Sequence, residues 1–225
     1  EFKLLTYSAD SLKRFGFESN EEMNAFRYTD FSYQKFMEAA KKEPYFKNTI
    51  FVFVGDHGIR YNGSLEYFLK SWTEQGLTCE HVPLLFYAPA LLKPQRVHNV
   101  CSQIDILPSI ASLAKIPYMN NSLGRNLFDT VAYAQVLGHD EIIPRLPKYT
   151  AFVIDHDLHT IGIVNNQYYY LKNLKTGKDD LVSSIGNNPV KESAETDSVK
   201  NYLQQLTDAY YETSKYLLLN NKKRK

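Results

Sequence analysis

The run Thr49-Ile50-Phe51-Val52-Phe53-Val54 constrains this chain more than any other feature. It consists of β-branched and aromatic residues without polar alternation, and Gly55-Asp56-His57-Gly58 ends it abruptly. A short continuous apolar run of this kind reads as a strand buried on both faces, as in a parallel sheet covered by helices. Pro83-Leu84-Leu85-Phe86-Tyr87-Ala88-Pro89 has the same texture and is closed by proline at either end. The fold class expected is therefore α/β.

The elements around these strands are legible from caps and periodicity. The first eighteen residues read as a polar lead-in. Ser19-Asn20-Glu21-Glu22 has the form of a capping box, followed by Met23, Phe26, Tyr33, Phe36, Met37 and Ala40 at helical spacing. This predicts a helix over about residues 20–42, which Pro44 stops. Asp105 is placed to cap a second helix containing Ile106, Leu107, Ile110, Ala111 and Leu113.

From Tyr149 the pattern changes. Ala151–Ile154, Thr160–Val164 and Gln167–Leu171 alternate and are divided by polar turns, which predicts an antiparallel meander. Asp179 to Thr196 reads as loop, and Val199, Tyr202, Leu203, Leu206, Tyr210, Thr213 and Leu217 as one face of a closing helix. Residues 1–148 are thus expected to be an α/β core portion, and 149–225 a small antiparallel sheet and helix of the same domain.

Composition narrows the function. A net charge of +1 is too balanced for nucleic acid as the main partner. No stretch approaches the roughly 20 apolar residues of a membrane span, so the chain is expected to be soluble. It opens Glu1-Phe2-Lys3 rather than with Met, and so reads as an excised piece of something longer. Cys79 and Cys101 form no CxxC pair and read as buried thiols. Lys222-Lys223-Arg224-Lys225 has the composition of a membrane-surface patch, but reads by default as a solvated terminus.

Chemistry concentrates at Asp56 and His57. A buried strand delivers its C-terminal end to the ligand-binding edge of an open α/β sheet. A carboxylate and an imidazole there offer oxygen and nitrogen ligands to one divalent ion. The competing reading is a capping aspartate beside a loop histidine. His81, at a strand entrance, and Arg60, just past Gly58, are candidates for contact with a substrate oxyanion. His98, His139, His156 and His159 read as surface or turn residues, and Tyr168-Tyr169-Tyr170 as core plus sheet surface. Asp56 as the phospho-acceptor of a receiver module is a weaker alternative, because no early strand ends in an acidic pair.

Tyr28-Thr29-Asp30 and Phe46 through Gly58, then Glu80 through Pro89, Gln103 through Ile110 and Asn121 through Leu127, together resemble the sulfatase family. Within its alkaline-phosphatase-like superfamily they are most similar to lipoteichoic acid synthases and related phosphoglycerol or phosphoethanolamine transferases. The resemblance implies a mainly parallel sheet flanked by helices, present in part, with a small C-terminal antiparallel sheet and closing helix. It makes Asp56 and His57 ligands of one divalent metal ion (Mn2+, Mg2+ or Ca2+). It places the nucleophile and the other ligands upstream, so no catalytic nucleophile is expected in this chain and the isolated chain is expected to be inactive. It implies a phosphate- or sulfate-ester substrate, a phospholipid headgroup among them. The parent would be anchored by upstream helices at the extracytoplasmic face of the membrane. A degenerate, non-catalytic binding domain is the alternative.

Overall fold

The computed structural model describes residues 1–60, 66–128 and 149–220. The predicted positions His139 and Lys222–Lys225 lie outside these. The chain divides into two compact units, Glu1–Val97 and His98–Lys225.

In the first unit, α1 (Ala9–Phe15) occupies the stretch expected to be an unstructured lead-in. Ser8 caps it through a hydrogen bond from the Ser11 amide, and Gly16 ends it at φ 81°, a left-handed conformation that glycine adopts without strain. The expected long helix is α2 (Asn20–Ala40), with the Ser19 hydroxyl accepting from the Glu22 amide. A 3₁₀ turn (Pro44–Asn48) leads into β1 (Phe51–Val54). Short helices α3 (Lys70–Thr73) and α4 (Leu77–Glu80) precede β2 (Leu84–Tyr87).

β1 and β2 pair antiparallel, Phe51 opposite Tyr87 and Val54 opposite Leu84, and not in the parallel manner expected. A short apolar run reads the same in either direction, so the sense of pairing is not written in either strand. The strands are also half-buried where burial on both faces was expected. Tyr33 and Phe36 of α2 meet Phe53 and Phe51 edge-on, at centroid distances of 5.2 and 6.0 Å. On the other face Val54 is exposed.

The second unit begins with a 3₁₀ turn (Gln103–Asp105) and α5 (Ile106–Leu113). Asp105 was expected to cap α5, but its carboxylate makes no cap bond to that helix. It is 1 % exposed and accepts from the Ser102 amide at 2.9 Å and from the Arg125 amide at 2.7 Å. The Arg125 guanidinium lies 3.1 Å from its second oxygen and donates to the Thr150 carbonyl at 2.8 Å. One buried ion pair thus ties the α5 entrance, the Gly124 turn and the first strand of the following sheet together. Gly124 is required there, because a Cβ would strike the Ile104 carbonyl.

Strands β3 (Thr150–Asp155), β4 (Thr160–Asn165), β5 (Tyr168–Asn173) and β6 (Asp179–Ser183) pair antiparallel in that order. The expected meander is present and extends into the segment expected to be loop. Helix α6 (Ala194–Asn220) packs Val199 and Leu203 against Ile163, Tyr170 and Leu181. Tyr169 and Tyr170 are both fully buried although they face opposite sides of the sheet. Gly162 makes room for Tyr169, whose ring occupies the place of the missing Cβ. The tyrosine run is therefore core on both faces, with neither of these two at the sheet surface.

Polar bonds fix α6 to the sheet. Lys200 pairs with Asp179 at 2.7 Å, Lys172 with Asp208 at 2.7 Å, and the Tyr170 hydroxyl donates to Asp179 at 3.0 Å. The Lys200 hydrogen bond holds the Asp179 carboxyl below its ordinary value, against a smaller opposing effect of burial.

Replacing Asp105 by alanine strands a largely buried guanidinium, and should cost about 3–5 kcal/mol in urea unfolding of the second unit. Asp179, with its depressed folded pKa, stabilises the native state above the unfolded carboxylate pKa. That contribution is lost as pH falls through the folded value. Asp179→Asn should therefore destabilise by about 1–2 kcal/mol at neutral pH. The difference from the parent should close in strong acid, as read by unfolding curves at both pH values.

Candidate active site

The turn after β1 is held by its two glycines. The Gly55 amide donates to the Pro83 carbonyl at 3.2 Å, and the Gly58 amide to the Cys79 carbonyl at 2.6 Å. A Cβ on Gly58 would collide with the Thr78 carbonyl, and one on Gly55 would sit 2.9 Å from the Val82 Cβ. Only residues without a side chain let the turn lie this close to the segment entering β2. Between the two pinned glycines, Asp56 and His57 project together.

Their donor atoms face each other. One Asp56 carboxylate oxygen accepts the His57 amide at 2.9 Å, and the other, Oδ2, lies 3.7 Å from His57 Nε2. His57 Nδ1 is 2.9 Å from the Gly58 carbonyl, which places the proton on Nδ1 and the lone pair on Nε2. The tautomer was assigned from that acceptor. The side chains are 90 % and 78 % exposed, so solvent and ligands reach them freely. Backbone hydrogen bonds from the His57 and Asp56 amides, with the His57 charge, hold Asp56 below the ordinary carboxylate value. The Gly58 carbonyl, then Asp56 and Glu80, hold His57 above the ordinary imidazole value.

The pair fits a divalent ion. Donor atoms 3.7 Å apart can share one cation at the usual bond lengths of about 2.1–2.4 Å. The set is carboxylate oxygen and imidazole nitrogen, with the imidazole oriented by a carbonyl on its far nitrogen. Among the described residues no group of three or more His, Cys, Asp or Glu side chains converges on a common point. Asp56 and His57 alone therefore amount to a partial ligand set.

Asp56, His57 and His81 line one open cleft of about 1250 Å³ in the first unit. Its walls are mostly aromatic and aliphatic, with Phe26 and Tyr33 from α2, Phe53 from β1 and Leu85 from β2. The His81 ring meets Trp72 edge-on at 4.7 Å, and desolvation keeps it below the ordinary imidazole value. Arg60 is half-buried and is not among the residues lining the cleft. His98, His156 and His159 are exposed, the last two in the β3–β4 turn. Cys79 and Cys101 are thiols, partly buried where full burial was expected.

Several contributors carry no signal in the sequence. Trp72 sits on a helix of four residues, too short for periodicity to register. Cys79 and Pro83 act through main-chain carbonyls, which any residue type supplies. Glu80 belongs to the motif that leads into β2, and nothing in the sequence marks it as a charge acting on His57.

Gly58→Ala should unseat the turn from Cys79, at a cost of about 1–3 kcal/mol. Divalent-ion affinity, measured by calorimetry, should fall with it although both ligand side chains remain. Unchanged affinity would show that the glycine contact does not place the pair.

The sulfatase family model matches residues 18–116, a span that contains α2, both strands of the first unit and the Asp56-His57 turn. Arylsulfatase K of Gallus gallus is 30 % identical over 148 residues, covering 64 % of this chain and 26 % of the relative. Arylsulfatase K of Canis lupus familiaris is 27 % identical over 127 residues, and that of Homo sapiens 28 %. Each of those two alignments covers 54 % of this chain and 23 % of the relative. The chain thus spans about a quarter of the length of the curated relatives it matches. Residues 18–116 thus match the sulfatase family model, and the chain is similar over part of its length to arylsulfatase K.

Proposed function

We propose that this chain is part of a sulfatase-type enzyme that cleaves a sulfate or phosphate ester, with Asp56 and His57 as ligands of one divalent cation (Mn2+, Mg2+ or Ca2+). The observation that carries the reading is the facing pair of donor atoms, 3.7 Å apart, within the segment that matches the sulfatase family. When bound, such a cation polarises the ester and offsets charge developing on its oxygens. The chain's own part is to orient. The Asp56 carboxylate is fixed by the His57 amide, and the His57 ring by the Gly58 carbonyl.

On this reading, residues 1–148 belong to a mainly parallel core sheet that the whole protein completes, and 149–225 to a small sheet and helix of the same domain. The nucleophile and the remaining ligands come from elsewhere in the protein, and the isolated 225 residues do not turn over. His81, packed against Trp72 on the cleft wall, hydrogen-bonds an ester oxygen, and Arg60, outside the cleft lining, is the second candidate contact for the substrate. Hydrolysis is favoured over group transfer because the relatives found are arylsulfatases. Transfer of a phosphoglycerol or phosphoethanolamine headgroup, by a protein anchored at the extracytoplasmic membrane face, is the alternative that the motif resemblance keeps in view.

A degenerate binding domain is the second reading. It is favoured by the wide exposure of both ligand side chains and by the absence of a third converging ligand among the described residues.

The test is calorimetric titration of the full-length protein with Mn2+, beside turnover of an aryl sulfate and an aryl phosphodiester. Asp56→Ala and His57→Ala should each weaken Mn2+ binding by at least about tenfold and abolish turnover. Unchanged affinity and activity in both variants would refute the assignment. Mn2+ binding without turnover of any ester would favour the binding domain.

A further inference from the structure

After α5 the second unit runs over its own surface before the Gly124 turn. Every residue from Ala114 to Ser122 is exposed. Large apolar side chains are among them: Ile116 is 61 % exposed, Tyr118 41 % and Met119 71 %. So much apolar surface in one short loop is more than folding alone asks for.

The loop closes on itself at Asn120. The Ser122 amide donates to Asn120 Oδ1 at 3.1 Å, and the Ser122 hydroxyl donates to the same oxygen at 2.8 Å. Asn120 Nδ2 donates to the Gly124 carbonyl at 2.8 Å, and the Gly124 amide to Ser122 Oγ at 3.1 Å. This is an Asx turn in which the side chain stands in for backbone. All of these partners lie within four residues of Asn120. Such a turn draws on no distant segment, so it can form in a chain that is still being made.

Asn120-Asn121-Ser122 is also an Asn-x-Ser triplet with no proline at its centre, the acceptor pattern for N-linked sugar. The triplet arises often by chance. It becomes an acceptor where the asparagine is exposed and the hydroxyl reaches its carboxamide, and both conditions hold here. Two hydrogen bonds donated to Oδ1 favour negative charge on that oxygen, which makes Nδ2 easier to deprotonate as it attacks. An Nδ2 that bears a sugar keeps one hydrogen, enough for the bond to the Gly124 carbonyl. The sugar would stand beside Met119 and Tyr118 in the loop and shield apolar surface that is otherwise wet.

We propose that Asn120 is a glycosylation site, modified by an oligosaccharide delivered on a polyprenyl diphosphate. Nδ2 attacks the anomeric carbon and the new C–N bond forms. The anomeric C–O bond breaks, the polyprenyl diphosphate leaves with its electron pair, and Nδ2 gives up one proton to a base of the transferase. Nothing is oxidised or reduced. The site is independent of the Asp56-His57 reading, and it requires that the loop pass through a compartment holding that donor.

The test is site mapping on the full-length protein isolated from the cells that make it. An amide-cleaving glycosidase in heavy-oxygen water turns each sugar-bearing asparagine into labelled aspartate, and peptide mass spectrometry locates the label. Label is expected at Asn120. Ser122→Ala, made in the same cells, should lower it by at least about tenfold, and Ser122→Thr, which keeps the hydroxyl, should retain it. Ser122 is exposed, so neither change threatens the fold. Asn62-Gly63-Ser64 is the other such triplet in the sequence, so the position of the label decides, not a mobility shift of the whole protein. Label at Asn62 alone, no label at all, or label that survives Ser122→Ala would each overturn the proposal and leave the turn purely structural.

Discussion

Two main-chain hydrogen bonds, from the Gly55 and Gly58 amides to the carbonyls of Pro83 and Cys79, hold the chemistry of this chain in place. They clamp four residues of turn against the segment entering β2. The clamp works only because neither glycine has a side chain to keep the segments apart. Everything the site can do follows from this. With the backbone fixed at both ends, the carboxylate and the imidazole have little choice of direction, and their donor atoms meet across 3.7 Å. On the proposed reading, a pair so close, each member oriented by a backbone partner, is arranged to share one cation.

The cleft around the pair is open and mostly apolar. The sulfatase match covers residues 18–116, and the arylsulfatase K relatives are about four times longer than the part aligned. The second unit answers a different demand. It builds a sheet buried on both faces around adjacent tyrosines, and ties it with the Asp105–Arg125 and Asp179–Lys200 pairs.

Much of this was legible in the residues themselves. The β1 and β2 runs, the Ser19-capped helix, the meander after Tyr149 and the closing helix all announce themselves through periodicity and punctuation. Strand direction does not, because an apolar run of four residues is the same read up or down. Asp105 was misread for a related reason. A capping aspartate and a buried ion-pairing one look alike until Arg125, twenty residues on, folds back onto it. β6 was missed because Asp179-Asp180 gives a strand the composition of a loop, its acidic start being matched by Lys200 on a distant helix. Of the site, the Asp-His pair was visible. The carbonyls that hold it were not, because main-chain atoms leave no mark in composition.

The most direct measurement is an anomalous-scattering crystal structure of the full-length protein grown with Mn2+. A single peak within about 2.4 Å of both Asp56 Oδ2 and His57 Nε2 is the result expected. A fully occupied ion elsewhere in the cleft, with these two side chains turned apart, would contradict the account.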